Sequence, residues 1–93
     1  MIRLIITLLL TTSSFSANGQ QNYCTHMESI ARASMTARQF GVPLQSMLSL
    51  VSDETALGIL HAAYEYPAHT NKNKQQVVIA EFSAMVLTHC LER

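Results

Sequence analysis

The sequence predicts an all-α fold, a small domain like a four-helix bundle in which a disulfide joins the terminal helices. Three observations predict it. Apolar residues recur at spacings of three and four in four segments, and helix breakers separate these segments. No stretch alternates with period two for long enough to suggest a strand. The two cysteines, Cys24 and Cys90, lie at the start of the first segment and near the end of the last.

The first of these segments predicts a helix from about Tyr23 to Phe40. Gly41 is expected to take the left-handed conformation that closes a helix, and Pro43 prevents the helix from continuing. The buried face of this helix is predicted to consist of Cys24, Met27, Ala31 and Met35.

Two shorter helices are predicted to follow. The second runs from about Pro43 to Val51, and the third runs from about Glu54 to Tyr66. Ser52 or Asp53 can cap the third helix, because their side-chain oxygens accept hydrogen bonds from free N–H groups. Pro67 then ends it and opens a polar loop.

The last helix begins near Lys74 and is apolar on nearly every side. One stripe is expected to face the core and consists of Val78, Phe82, Met85 and His89, widened by Ile79, Val86 and Cys90. A second stripe lies on the opposite side and consists of Val77, Ala80, Ala84, Leu87 and Leu91. Such a helix is normally buried, but this short chain has few elements to cover it. We therefore expect the second stripe to be an interface, with an identical chain or with a target. The alternative is that the short second helix lies across it.

Tyr64 and Tyr66 close the third helix beside the polar loop and complete the candidate interface. Amphipathic aromatic side chains concentrate binding energy at protein interfaces. Half-buried packing within the chain is the alternative interpretation.

The first 19 residues are typical of a secretory signal peptide. Arg3 supplies the positive n-region, Leu4–Leu10 is a short apolar h-region, and Ala17-Asn18-Gly19 places small residues where a signal peptidase cleaves. We expect cleavage before Gln20, with Ser14-Phe15-Ser16 as the alternative site. An uncleaved N-terminal anchor is the alternative fate. The mature chain is expected in the periplasm, without stable membrane insertion.

Charge argues against one large class of partners. The 93 residues carry 6 basic and 6 acidic side chains, a formal net charge of zero. Nucleic-acid binding depends on a basic surface that displaces counterions from phosphates. We therefore expect no nucleic-acid partner. The mature chain, residues 20–93, is long enough for one small helical domain, and domains of this size gain much from a covalent cross-link.

The cysteine pair has two chemical interpretations. In an exported chain, Cys24 and Cys90 are most simply a disulfide, and the long loop that it closes corresponds to roughly 4 kcal/mol of stabilisation. The alternative is a zinc site completed by His26 and His89. Positions 24 and 26 point about 200° apart on a helix, which disfavours zinc. We expect no metal and no cofactor.

Three polar residues are candidate functional groups. Arg38 falls on the apolar stripe of the first helix, and its charge either extends to solvent or pairs with Asp53, Glu54 or an acid on a partner. His61 and Glu65 are four residues apart on the outer face of the third helix, where such pairs are usually solvated. General acid–base chemistry requires a cleft and a shifted pKa. We therefore assign no catalytic residue and do not expect an enzyme.

In four features the chain resembles a loose group of small exported proteins encoded by tailed phages and prophages. The features are Arg38–Pro43, Ala63–Pro67, Glu81-Phe82 and the final Cys90. The resemblance covers most of the mature chain and rests on helix breakers and core positions. It implies a context: a periplasmic product that modulates the host envelope, blocks superinfection or regulates lysis.

The function expected from these observations is binding of an unidentified periplasmic or envelope protein, with a homodimer as a possible state. An immunity-type inhibitor of a secreted toxin is the alternative in the same class. A small hydrolase or metal-binding protein is the alternative from a different class.

Overall fold

The computed structural model describes the backbone of residues 2–93 and the side chains of residues 19–93. Within this range the chain forms four helices and no strand, so the predicted all-α fold is confirmed. The helices are α1 (Ile2–Gln39), α2 (Leu44–Leu48), α3 (Glu54–Tyr64) and α4 (Lys72–Leu91). The predicted signal peptide, residues 1–19, lies almost entirely outside the residues whose side chains are described.

Several predicted helix bounds were wrong. Helix α1 does not start at Tyr23 but at Ile2, because no proline and only one glycine, Gly19, stand between Ile2 and its end. Helix α3 ends two residues before Tyr66, since a residue that precedes a proline is disfavoured in the helical conformation. Helix α2 is also shorter than predicted, and α4 starts two residues earlier.

Local chemistry fixes the helix ends. Gly41 has φ +82°, as predicted. The N–H of Val42 donates to the carbonyl of Ala37 at 2.9 Å, and the N–H of Gly41 donates to the carbonyl of Arg38 at 3.2 Å. Together these bonds form a Schellman motif. The predicted cap of α3 is also confirmed, because a carboxylate oxygen of Asp53 accepts from the N–H of Ala56 at 3.0 Å.

Helix α1 is the support on which α3 and α4 both pack. Helix α4 runs antiparallel to it, since Gln75 near the start of α4 contacts Gln39 and Cys90 near its end is bonded to Cys24. Helix α3 runs parallel to α1. Its C-terminal end adjoins the C-terminal end of α1, and its first turn shares a groove with residues 23 and 27 of α1.

The core is small and lies between α1, α3 and α4. Its fully packed members are Ala31, Met35, Ala63, Ile79 and Phe82. The ring of Tyr66 meets that of Phe82 edge to face, with centroids 5.4 Å apart. The predicted buried face of α1 is confirmed, because Cys24, Met27, Ala31 and Met35 are all buried.

The core-facing stripe predicted for α4 is partly wrong. Phe82 and Ile79 are buried, as predicted, but Met85 and His89 are exposed, and Ser83, which lies outside the predicted stripe, is buried. The buried face of α4 is rotated relative to the predicted stripe, because α4 packs mainly against α1. Ser83 is accommodated there because its hydroxyl donates to the carbonyl of Ala80 at 3.1 Å.

The predicted disulfide between Cys24 and Cys90 is confirmed, with the two Cα atoms 5.5 Å apart. It joins α1 to α4 near the C-terminal end of α4, and it removes both thiols from any zinc site. Within the described part of the chain, no helix is long and apolar enough to cross a membrane.

Candidate functional site

The second stripe of α4 is uncovered in the structure. We call its five residues the outer face: Val77, Ala80, Ala84, Leu87 and Leu91. Val77 is 55% exposed and Leu91 is 42% exposed. The two alanines are exposed as well, and Leu87 is half-buried. Helix α2 packs against α1 and α3, so the alternative in which it covers this face is wrong.

Charged residues border the outer face. Glu81 lines two shallow depressions along α4, of about 320 and 420 Å³. The first also includes Lys74 and Val77, and the second includes Ala84 and Glu92. An apolar centre with a charged rim is the usual composition of a protein–protein interface.

Tyr64 and Tyr66 make contacts within the chain. The hydroxyl of Tyr64 donates to the carbonyl of Val42 at 2.6 Å, and its ring lies 5.6 Å from the Arg38 guanidinium carbon. Tyr66 packs on Phe82. Both side chains are half-buried. Their packing role is therefore observed, while a role in an interface stays a prediction.

Burial raises the pKa of the Tyr64 hydroxyl above 10.0, and the nearby positive charge of Arg38 opposes this shift less strongly. Burial disfavours the phenolate because it removes water from the charged form. The hydroxyl therefore stays neutral, and able to donate to Val42, to a higher pH than that of an unburied tyrosine.

Arg38 forms no ion pair with Asp53 or Glu54. Its Nε–H donates to the backbone carbonyl of Tyr66 at 2.7 Å, and Asp53 is occupied as a helix cap. Arg38 therefore ties the end of α1 to the residues that follow α3.

A buried glutamine that the sequence analysis missed organises the loop between α3 and α4. Gln39 is 4% exposed, and its Nε2 donates to the carbonyl of Pro67 at 3.0 Å. Its Oε1 accepts from the N–H of His69 at 2.8 Å. Gln75 completes the arrangement, because its amide donates to the carbonyls of His69 at 2.6 Å and Gln39 at 3.3 Å. We call these residues the Gln39 clamp. Its partners are distant in sequence, so no local pattern indicated it.

His61 and Glu65 are both exposed on α3. The sole ion pair among the described side chains joins Arg32 to Glu28 at 3.8 Å. Within the same residues, no group of three or more histidine, cysteine, aspartate or glutamate side chains could hold a metal ion.

Comparison with known proteins gives no family for this chain: no family model, no curated protein and no solved structure matches it.

Proposed function

We propose that this chain is an exported protein-binding module that presents the outer face of α4 to a helix of a periplasmic or envelope protein. The observation that carries the proposal is the exposure of an apolar stripe on a helix that α1, α2 and α3 leave open on that side. Soluble monomers generally avoid exposing contiguous apolar patches.

The spacing of the outer face favours a helical partner. Alternating steps of three and four place its residues along one line of the helix, as in a coiled-coil interface. Val77 and Leu91 stand about 21 Å apart along the axis at 1.5 Å per residue. Ala80 and Ala84 carry small side chains between them, which lets a second helix approach closely.

Helix α4 is held at both ends, which suits it to binding. Gln75 joins its first turns to Gln39, and the disulfide between Cys90 and Cys24 joins its last turn to α1. A surface that is already fixed loses little conformational entropy when a partner binds, so more of the contact energy appears as affinity.

The disulfide and the N-terminal sequence support an exported location. Disulfides persist in oxidising compartments such as the periplasm, and the first 19 residues have the pattern of a signal peptide. The contacts named above all lie within residues 20–93, so a chain cleaved before Gln20 retains them. Intact-mass measurement of periplasmic protein tests this, and a mass that includes residues 1–19 would favour an anchored protein.

The resemblance to phage-encoded exported proteins supports a target in the host envelope or the lysis machinery. An immunity-type inhibitor of a secreted toxin would use the same kind of surface and is the second candidate in this class. A hydrolase or metal-binding protein has less support, because His61 and Glu65 lie exposed on α3.

A matched pair of substitutions tests the proposal. Ala84→Glu places a carboxylate on the outer face, whereas Ala33→Glu makes the same change at an exposed position of α1. Mature protein carrying either change is used to capture partners from periplasmic extract, and its mass in solution is measured by sedimentation equilibrium.

We expect a partner to be captured by the unchanged protein and by Ala33→Glu but not by Ala84→Glu. Concentration-dependent dimerisation that Ala84→Glu abolishes would identify the partner helix as α4 of a second copy. A monomer that captures nothing, or capture that both variants retain, would contradict the proposal.

A further inference from the structure

A second feature of the molecule, separate from the outer face, is a groove beside the disulfide. It has a volume of about 180 Å³ and opens between α3 and α4, with α1 as its floor. The groove exists because α3 and α4 both pack on α1 without packing extensively on each other. It lies on the side of α4 that faces α3.

The interior of this groove is apolar. Met27 of α1, Ile59 of α3 and Val86 of α4 line it, next to the disulfide sulfur of Cys90. Met85 also lines it and is 42% exposed. Methionine side chains are flexible and polarisable, and they adapt to apolar ligands of different shapes.

The groove has a basic side chain at its edge and no acidic one. Arg93 and His89 line it, and no aspartate or glutamate does. The sole ion pair among the described side chains lies elsewhere, between Arg32 and Glu28. The Arg93 guanidinium therefore has no carboxylate partner within the described part of the chain, and it carries donors suited to a bidentate contact with one.

We propose that this groove binds a small amphiphilic anion, a monocarboxylate with an apolar body of about six to eight carbon atoms. The size follows from the volume, because a cavity of about 150 Å³ in another protein accommodates benzene. The apolar body lies over Met27, Ile59 and Val86, and the carboxylate contacts Arg93. This inference does not depend on the proposed protein-binding function, because the outer face contributes no residue to the groove.

Octanoate and its neutral analogue octanamide test the charge and the apolar body separately. The ligands are titrated into the mature, disulfide-bonded protein with methionine methyl groups labelled for NMR. We expect saturable shifts of the Met27 and Met85 methyl signals, with a dissociation constant below about 1 mM. The methyl of Met47 on α2, outside the groove, should not move. Octanamide should bind about tenfold more weakly, because it lacks the charge-assisted contact.

Two variants complete the experiment. Arg93→Gln should weaken octanoate about tenfold and leave octanamide unchanged, and Met85→Glu should abolish octanoate binding by placing a like charge in the groove. Arg32→Gln, which removes an exposed guanidinium from α1, is the control and should change the affinity for neither octanoate nor octanamide. Circular dichroism checks that every variant is folded.

Each of the following would overturn the proposal: no shift of the Met27 and Met85 methyls, equal affinity for octanoate and octanamide, or an Arg93→Gln variant that binds octanoate normally. A parallel shift of Met47 would show unspecific apolar association and would also overturn it.

Discussion

Gln39 and His69 are joined across the domain by a hydrogen bond of 2.8 Å, from the backbone N–H of His69 to Oε1 of the buried glutamine. The same side chain donates to the carbonyl of Pro67. One residue at the end of α1 thus satisfies both a donor and an acceptor of the loop that leads into α4. This contact therefore ties the loop before α4 to the end of α1.

Gln39→Leu should therefore destabilise the fold. It leaves the His69 N–H and the Pro67 carbonyl without their partners, and we expect the free energy of unfolding to fall by about 2 kcal/mol. Urea denaturation followed by circular dichroism measures this. Gln45→Leu, at an exposed position of α2, is the control and should change stability by less than about 0.5 kcal/mol. Equal stability of the two variants would contradict the role of the clamp.

We expect the protein to lose stability in alkaline solution as the Tyr64 hydroxyl ionises. Its pKa in the folded protein is raised above the ordinary 10.0 because burial disfavours the phenolate. The contribution of this hydroxyl to the free energy of unfolding is therefore complete below pH 10. It is lost as the pH rises through the pKa that Tyr64 has in the folded protein. Tyr64→Phe should lose about 1 kcal/mol at neutral pH, since the hydrogen bond to Val42 is absent.

The difference in unfolding free energy between the native protein and Tyr64→Phe should then shrink as the pH rises above 10. Denaturation curves between pH 8 and pH 11.5 measure this difference (about six points suffice). A difference that stays constant over this range would show that Tyr64 does not titrate as described.

How much of this structure the sequence could predict depends on how local each determinant is. The roles of Gly41 and Asp53 were predictable because a helix cap is decided by the residue itself and its neighbours in the chain. The disulfide was predictable because the chain offers one pair of cysteines.

The orientation of α4 was less predictable. Apolar residues surround most of this helix, so its sequence does not select one buried side. Met85 was placed in the core-facing stripe but is exposed, whereas Ser83 was left outside it but is buried. Packing against α1 determines which side of α4 is buried. The Gln39 clamp and the contact from Arg38 to Tyr66 were missed because their partners are backbone atoms about 28 residues away, which no periodicity reveals.

The disulfide should contribute a large part of the total stability. It closes a loop between residues 66 positions apart, for which the chain-entropy model gives roughly 4 kcal/mol. We expect the double variant Cys24→Ser, Cys90→Ser to have a markedly lower melting temperature than the native protein. The reason is that the total free energy of unfolding of a small domain is only about 5–15 kcal/mol. Thermal unfolding with and without reductant measures this, and reductant should not affect the double variant. An unchanged melting temperature would mean that α4 stays docked without the cross-link.

The outer face can be distinguished from the core by what a carboxylate costs there. At Ala84, which is exposed, a glutamate side chain remains in water, so Ala84→Glu should change the free energy of unfolding by less than about 0.5 kcal/mol. Phe82→Ala, on the opposite side of the same helix, removes a ring that is 2% exposed and should cost about 3–5 kcal/mol. Leu87 is half-buried, so Leu87→Glu should fall between these values. Denaturation of the three variants measures this order, and a large loss at Ala84 would mean that the outer face is covered in the monomer and cannot receive a partner helix.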